Sequence, residues 1–401
     1  MTTSDVPPLS LSAFDLSPDR GFLPAGDPLA RVAEEPILNQ IGTELPKLLS
    51  ARQVRGVIQD RQDIMGAVAD EWGLDVFRSV MRALSFVGHA YVWEDPDHPA
   101  TRLPACLARP WCQVAQQLGR PPVLSYASYA LHNWRRLDPH KPIELGNIVL
   151  LQNFLGGLDE EWFVLIHIDI EAKAGPGLQG LVQAHHAARV DRADAVLAGL
   201  GALAGAQEAM RETLLRMPER CDPYIYYSRV RPYIHGWKNS PALPNGVIYE
   251  GVPEYAEQPQ QFRGETGSQS SIVPALDAGL GVPHAEDPLT QYLVEMRDYM
   301  PPRHRAFLAA LEAQRDGQGR PLLFGYVRDR KSTHPELWRA YCACVDLLAQ
   351  FRQIHVDYAE RYIFRQHQSH AGNPTAVGTG GTPFMPYLTK HLEDTKRLIQ
   401  E

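Results

Sequence analysis

Apolar side chains recur every three or four residues along most of this chain, which is the spacing of one face of an α-helix. The pattern is clearest over residues 334–368, which contain no glycine and no proline after Pro335. Thr333 and Glu336 at its start match a capping box. Strand patterns are few, so the sequence predicts an all-α fold. Further helices are predicted over residues 46–93, 124–136, 159–173, 178–216, 222–236, 270–280, 286–299 and 302–315.

Prolines divide the chain into two helical regions. Four prolines from Pro96 to Pro110 follow the first region, and Pro121 and Pro122 precede the second. We therefore predict a small N-terminal helical domain over residues 1–119 and a large helical domain over residues 120–401. Residues 1–30, with five prolines, are expected to form an irregular arm.

Two long segments lack any helical pattern. Residues 240–268 are rich in proline, glycine and glutamate, and residues 370–382 are rich in glycine and threonine. Long loops without regular structure often cover a ligand. We predict a connection over the first segment and a mobile loop over the second.

Charge and cysteine usage narrow the possible partners. The chain has 39 Lys and Arg against 47 Asp and Glu, a net charge of −8, which argues against a nucleic-acid partner. Its five scattered cysteines form no CxxC pair, as is typical of a reducing compartment without a disulfide framework or zinc site. The sequence also lacks a signal peptide and a long apolar run. We therefore expect a cytoplasmic protein with no membrane partner.

One histidine lies on the apolar face of the helix predicted over residues 334–368. Phe351, His355, Tyr358 and Tyr362 follow the helical spacing i, i+4, i+7 and i+11. A histidine in such a stripe is either a hydrogen-bonded core residue, which is the commoner case, or an axial ligand that reaches into a cavity. The residues alone leave both interpretations open.

Six short segments favour the second interpretation: residues 122–127 (PVLSYA), 231–237 (RPYIHGW), 267–271 (GSQSS), 296–302 (MRDYMPP), 352–355 (RQIH) and 378–382 (GTGGT). In this order and spacing they resemble the indoleamine 2,3-dioxygenase family, haem enzymes that open the indole ring of tryptophan. The resemblance runs from about residue 120 to the C-terminus. It implies a haem b cofactor held between helices of the large domain, with the small domain covering one side. It also implies L-tryptophan or a related indole and O2 as substrates, N-formylkynurenine as product, and an electron donor that keeps the iron ferrous.

The resemblance also implies which residues hold the cofactor. His355 matches the proximal ligand of the haem iron, and Arg352 lies one turn earlier, where it would meet a propionate. Asp277 matches the residue that pairs with this arginine, although the pair could equally be a plain buried ion pair. Thr266 and Gly267 match contacts to the haem edge.

A second set matches the substrate side. Arg231 corresponds to a clamp for the substrate carboxylate, because its guanidinium offers two parallel donors. Tyr226 would flank the substrate, and Thr379 and Gly380 lie in the loop that covers it. The walls of the distal pocket match Tyr126, Tyr129, Ala130, Phe163 and Val164.

His167 is the sharpest departure from the family, which commonly has serine at this distal position. We predict a catalytic role for His167, either by accepting a hydrogen bond from the indole N–H or by contacting O2.

Three alternatives remain at this stage. His167 and Asp169 resemble the His-x-Asp half of a non-haem iron site, although such sites usually lie on β-barrels. A non-catalytic haem protein that binds O2 would share the haem residues but would have no use for Arg231. A dioxygenase acting on a modified indole would fit the unusual Tyr129, Ala130 and Val164.

Overall fold

Two long helices, α5 (Leu158–Arg189) and α6 (Ala193–Leu215), run side by side through the protein. Glycines allow their backbones to touch. A Cβ built on Gly180 would come within 2.6 Å of the Gly199 carbonyl oxygen, and one built on Gly199 within 2.5 Å of the Gly180 carbonyl oxygen. Any larger side chain would force the helices apart. α13 (Pro335–Ala359) packs against α6 and brings the histidine stripe to this pair.

The computed structural model describes residues 9–32, 35–284, 287–367, 369 and 371–399. Helices dominate these residues, which confirms the predicted all-α fold. Strand β1 (Arg102–Leu103) pairs in parallel with β4 (Ile248–Tyr249), and β2 (Trp134–Arg136) pairs antiparallel with β3 (Ile148–Leu150). The other α-helices are α1 (Pro36–Ser50), α2 (Val54–Gln59), α3 (Leu74–Val92), α4 (Ala105–Leu118), α7 (Pro223–Ile225), α8 (Arg231–Ile234), α9 (Ile272–Leu280), α10 (Pro288–Arg297), α11 (Pro302–Glu312), α12 (Leu322–Asp329) and α14 (Phe384–Arg397).

α5 is buried on almost every side because it separates two hydrophobic cores. Val164 and Ile168 belong to the first core, which includes α1, α3 and α4. Ile166 and Ile170 belong to the second, which includes α6, α9, α11, α12 and α13. A helix between two cores is apolar all round. Nevertheless, neither α5 nor any other helix in the described ranges is long and apolar enough to cross a membrane.

The domain boundary predicted between residues 119 and 120 follows the end of α4. Gly119, with φ 61°, is the left-handed residue that ends this helix. The first core continues across the boundary, since Leu103 and Val123 both belong to it. The two-domain division therefore stays a prediction, and residues 1–8 and 400–401 lie outside the described part of the chain.

The helix prediction was wrong about where α5 ends. A break was expected between residues 173 and 178, but α5 continues through Pro176. The N-terminal arm packs against this part of α5, where a Cβ on Gly175 would come within 2.2 Å of the Pro18 carbonyl oxygen. The break comes later, at Asp191, which has φ 54°. Tertiary packing thus outweighs the local cost of one proline.

The predicted helix over residues 334–368 is α13 followed by a π-helical turn, Glu360–Phe364. The predicted capping box is wrong. His334 occupies the N-cap position, and the Thr333 hydroxyl donates to the Arg330 carbonyl oxygen at 3.3 Å. Thr333 lies one residue too early to cap the helix.

Candidate active site

A cavity lies among helices α5, α10, α13 and α14, and two histidines line it. His167 comes from α5 and His355 from α13. Residues 265–268 and 378–382 complete the wall. The two imidazoles lie close enough for His167 to contribute to the lowered pKa of His355.

The exposed part of the His355 side chain faces this cavity. Surrounding protein desolvates its ring and, with smaller contributions from His167 and Arg352, lowers its pKa to about 4. Within the described residues its side chain has no hydrogen-bond partner. A neutral imidazole with a free nitrogen is the form that binds a metal ion. His355 is therefore not a hydrogen-bonded core histidine, which was the commoner of the two interpretations of its sequence position.

His167 has one committed nitrogen and one free nitrogen. Nδ1 lies 2.7 Å from the carbonyl oxygen of Phe163, which can only accept. Nδ1 therefore carries the proton, and Nε2 is left as an acceptor. Burial lowers the pKa of His167, so the ring is neutral at pH 7. The cavity thus receives an acceptor from this histidine.

Flat aromatic rings surround these two histidines. The Phe163 ring centroid lies 4.7 Å from those of both His167 and Tyr226, and Tyr226 lies 5.8 Å from Tyr362. Tyr226 begins a π-helical turn, Tyr226–Val230, and Tyr362 lies within another, Glu360–Phe364. Such turns are frequent at functional sites. Phe163 and Tyr226 therefore lie together on the cavity wall, and their roles toward a substrate stay predictions.

Four other predicted wall residues lie behind this surface. Tyr126 donates its hydroxyl to Glu171 at 2.9 Å, and its ring centroid lies 6.0 Å from that of His167. Tyr129 stacks on Phe86 with ring centroids 5.7 Å apart. With Ala130 and Val164, these residues are at most 2% exposed and are absent from the cavity wall. They support the wall through packing.

Arg231 is turned away from the cavity and holds the segment before the Gly-Thr loop. Its guanidinium donates to Asn373 Oδ1, to the Pro374 carbonyl oxygen at 2.8 Å and to the Val377 carbonyl oxygen at 2.5 Å. The side chain is fully buried, and burial lowers its pKa to about 10. Its role as a carboxylate clamp stays a prediction, because all three bonds go to the protein itself.

The Gly-Thr loop lies against the cavity, as predicted for Thr379 and Gly380. The Thr379 hydroxyl donates to the Glu265 carbonyl oxygen, and Arg263 donates to the Gly380 carbonyl oxygen at 2.6 Å. Gly381 has φ 77°, and a Cβ there would lie 2.2 Å from the Lys238 carbonyl oxygen. Only glycine fits that position. The predicted mobility of this loop is not tested by these contacts, and residue 370 lies outside the described residues.

Comparison with known proteins identifies the family. The family model described as indoleamine 2,3-dioxygenase matches residues 10–398. The chain belongs to the indoleamine 2,3-dioxygenase family.

Individual relatives agree over nearly the whole chain. Indoleamine 2,3-dioxygenase 2 of Homo sapiens is 33% identical over 98% of this chain and 96% of its own. Indoleamine 2,3-dioxygenase of Saccharomyces cerevisiae is 33% identical over 96% and 92%. A protein of Haliotis madaka named myoglobin is 28% identical over 98% and 99%. The family is one of dioxygenases, which are oxidoreductases.

The cavity of this indoleamine 2,3-dioxygenase relative fits a haem at two places. His355 offers a neutral imidazole to iron. One turn before His355, Arg352 contacts Asp277 at 2.6 Å, and His284 Nε2 contacts the same carboxylate at 3.1 Å. These three residues do not line the cavity themselves. Burial alone would raise the pKa of Asp277, but Arg352 and His284 outweigh it and lower this pKa to about 2.

His391 strengthens that fit. Its ring lies 5.1 Å from that of His284, and it lines the cavity. Both of its ring nitrogens are shielded from solvent and have no hydrogen bond within the described part of the chain. Buried polar groups normally have partners. Burial lowers the pKa of His391 to about 4, so the ring is neutral and one of its nitrogens carries a proton. That N–H suits the carboxylate of a haem propionate.

The alternative of a non-haem iron site finds no support. Asp169 is fully buried and bonds Lys173 Nζ at 2.7 Å and the Thr213 hydroxyl at 2.7 Å. No cluster of three or more metal-binding side chains occurs among the described residues. The carboxylate of Asp169 is committed to its own salt bridge, so it cannot complete a triad with His167.

Sequence reasoning missed two polar residues of the cavity, Glu265 and His391. Glu265 lies in a segment rich in proline, glycine and glutamate, a composition typical of exposed loops. His391 lies seven residues after Phe384 on one stripe of α14, a spacing that could have indicated a shared face.

Proposed function

We propose that this chain is a haem-dependent dioxygenase that inserts both atoms of O2 across the indole C2–C3 bond of L-tryptophan and forms N-formylkynurenine. Family membership supports the reaction class. Haem b as the form of the cofactor, L-tryptophan as the indole, an electron donor that keeps the iron ferrous and a cytoplasmic location are parts of this proposal.

The observation that carries the proposal is a single aromatic cavity lined by two neutral histidines with different free atoms. His355 offers a nitrogen with no other partner, and His167 offers an acceptor. When bound, the haem supplies the centre at which O2 becomes reactive toward the indole. His355 would hold that group, and Arg352 and His391 would bind its carboxylates.

The remaining side chains bind and orient the indole. Phe163 and Tyr226 present flat walls to its ring, which suits a planar apolar group. His167 Nε2 accepts the indole N–H bond, since Nδ1 already donates to the backbone. Contact with O2 is the less favoured role of His167, because a neutral ring whose proton is on Nδ1 has no donor left.

Arg231 and the Gly-Thr loop complete the site. To bind the substrate carboxylate, Arg231 must exchange its contacts with residues 374 and 377. Its Nε has no hydrogen-bond partner within the described residues. Thr379 and Gly380 cover the cavity and exclude water.

The test is direct. The haem-loaded, reduced protein is mixed with L-tryptophan and ¹⁸O₂, and the product is analysed by mass spectrometry. We expect N-formylkynurenine that carries two labelled oxygen atoms. The variant His355→Ala should lose the Soret spectrum of the loaded wild type, and a wild-type spectrum in this variant would contradict the ligand assignment.

The same assay separates the two alternatives. A non-catalytic haem protein, which the relative named myoglobin keeps under consideration, would bind O2 reversibly and form no product. A dioxygenase for a modified indole would turn over substituted tryptophans faster than L-tryptophan. The packed positions of Tyr129, Ala130 and Val164 favour L-tryptophan, because these unusual residues do not reach the cavity surface.

A further inference from the structure

Among the described residues, Glu265 is an acid of the cavity wall without a partner for its carboxyl group. The residue lines the cavity, yet it is only 4% exposed. Within the described residues, its carboxylate forms no hydrogen bond and no salt bridge. A buried carboxylate normally has a cation or several donors around it. Glu265 therefore breaks this pattern within the described part of the chain.

The backbone around Glu265 is fixed. Its N–H donates to the Ile234 carbonyl oxygen at 3.1 Å, and its carbonyl oxygen accepts the Thr379 hydroxyl. Gly236 and Gly264 cross so closely that a Cβ on Gly264 would lie 2.1 Å from the Gly236 nitrogen. The backbone that carries the carboxylate is thus fixed by a crossing that tolerates no side chain.

The arginines nearest to this crossing are engaged elsewhere. Arg263 contacts Glu295 at 2.7 Å and the Gly380 carbonyl oxygen at 2.6 Å. Arg231 holds residues 373–377. Burial without compensation raises the pKa of Glu265 to about 8. At neutral pH the unpaired carboxyl therefore keeps its proton. A cation that binds there stabilises the carboxylate, so the proton is released to solvent.

We propose that Glu265 is the cation subsite of this cavity and binds the primary ammonium group of the substrate. The inference rests on the proposed function and makes it more specific, because it assigns the contact with the ammonium group to one side chain. Apolar rings bind the indole, and Glu265 adds a charge-assisted hydrogen bond at one point. A substrate with a primary ammonium group loses this bond when the carboxylate of Glu265 is removed.

The test compares three indoles that differ only in their charged groups. L-Tryptophan carries an ammonium and a carboxylate, tryptamine only the ammonium, and indole-3-propionate only the carboxylate. Each is titrated into the haem-loaded ferric protein, and the dissociation constant is measured from the Soret shift. The variants are Glu265→Gln, which keeps the shape and removes the charge, and Glu94→Gln as a control. Glu94 is also buried, but it bonds the Arg55 N–H away from the cavity.

We expect Glu265→Gln to weaken tryptamine and L-tryptophan by roughly 10- to 100-fold, the loss typical of a charged hydrogen bond. Indole-3-propionate should bind as it does to wild type. Glu94→Gln should leave all three constants unchanged. If Glu265→Gln does not load haem, Glu265→Asp keeps the charge and should still prefer tryptamine to indole-3-propionate.

Two results would overturn the subsite. One is equal weakening of all three indoles, which indicates a structural role. The other is no change for either amine. Failure of the wild type to load haem, or to bind any of the three indoles, would refute the proposed function itself.

Discussion

Removing the Glu265 carboxyl should stabilise the haem-free protein, and the gain should grow with pH. The folded protein holds the pKa of this group at about 8, above its ordinary value of 4.5, because burial disfavours the charge. Between these two values the unfolded chain has lost the proton while the folded chain keeps it. Stability therefore falls as pH rises through this window, by about 1.4 kcal/mol per pH unit. Glutamine does not titrate, so the stability of Glu265→Gln does not decrease with pH through this group.

The measurement is urea unfolding of both proteins at several pH values. From pH 5.5 to 7.5 the difference in unfolding free energy should increase by roughly 2–3 kcal/mol in favour of the variant. Glu160 and Glu171, whose pKa values burial raises to about 7, are present in both proteins and cancel. The variant Glu171→Gln is the matched control. The difference between its unfolding free energy and that of the wild type should stop increasing near pH 7. A difference for Glu265→Gln that stays flat across the window would refute the claim that this carboxyl is buried without a partner.

Three further changes probe the rest of the cavity. Arg231→Ala should release residues 373–377, so amide hydrogen exchange should rise over this segment while haem is retained, and unchanged exchange there would contradict the observed contacts. His167→Ser should lower turnover of L-tryptophan roughly 10- to 100-fold, consistent with about 1–3 kcal/mol, and should widen tolerance for 1-methyl-tryptophan. Equal treatment of both indoles by wild type and variant would remove the N–H acceptor role. His391→Leu should speed transfer of haem to apomyoglobin, and the effect should shrink for the dimethyl ester of haem, in which both propionates are blocked. An effect of equal size with the ester would mean that His391 contributes packing only.

Helical periodicity was sufficient for the fold class but not for the ends of the helices. The pattern over residues 334–368 marked α13 because its stripe repeats over many turns. The helix break predicted near Pro176 was wrong because the local helix preference of a residue does not include tertiary contacts. Here the N-terminal arm packs beside Gly175. Asp191, which ends α5 with a left-handed φ of 54°, carries no strong sequence mark.

The sequence predicted the site well where short motifs determine which residues lie at the cavity. It predicted less where side-chain packing determines which residues face the cavity. Short motifs located His355 and the Gly-Thr loop at the cavity. They could not separate Phe163, which lines it, from its neighbour Val164, which faces the core, because one residue along a helix turns the side chain by about 100°. Glu265 escaped notice since composition alone cannot distinguish a buried acid from a solvated one.

Arg231 connects the loop to the carboxylate end of the substrate. Without substrate, its guanidinium satisfies neutral acceptors on residues 373–377, each bond contributing about 1.5–3 kcal/mol for a charged donor. A substrate carboxylate would offer a stronger, charge-assisted partner, but Arg231 does not line the cavity, so its side chain must turn to reach a carboxylate there. If Arg231 clamps the carboxylate, residues 373–377 must therefore give up contacts when substrate binds, and the loop that follows them must be held by other bonds. Thr379 to the Glu265 carbonyl oxygen and Arg263 to the Gly380 carbonyl oxygen supply them. The part of the loop nearest the cavity can thus stay in place while the preceding segment moves.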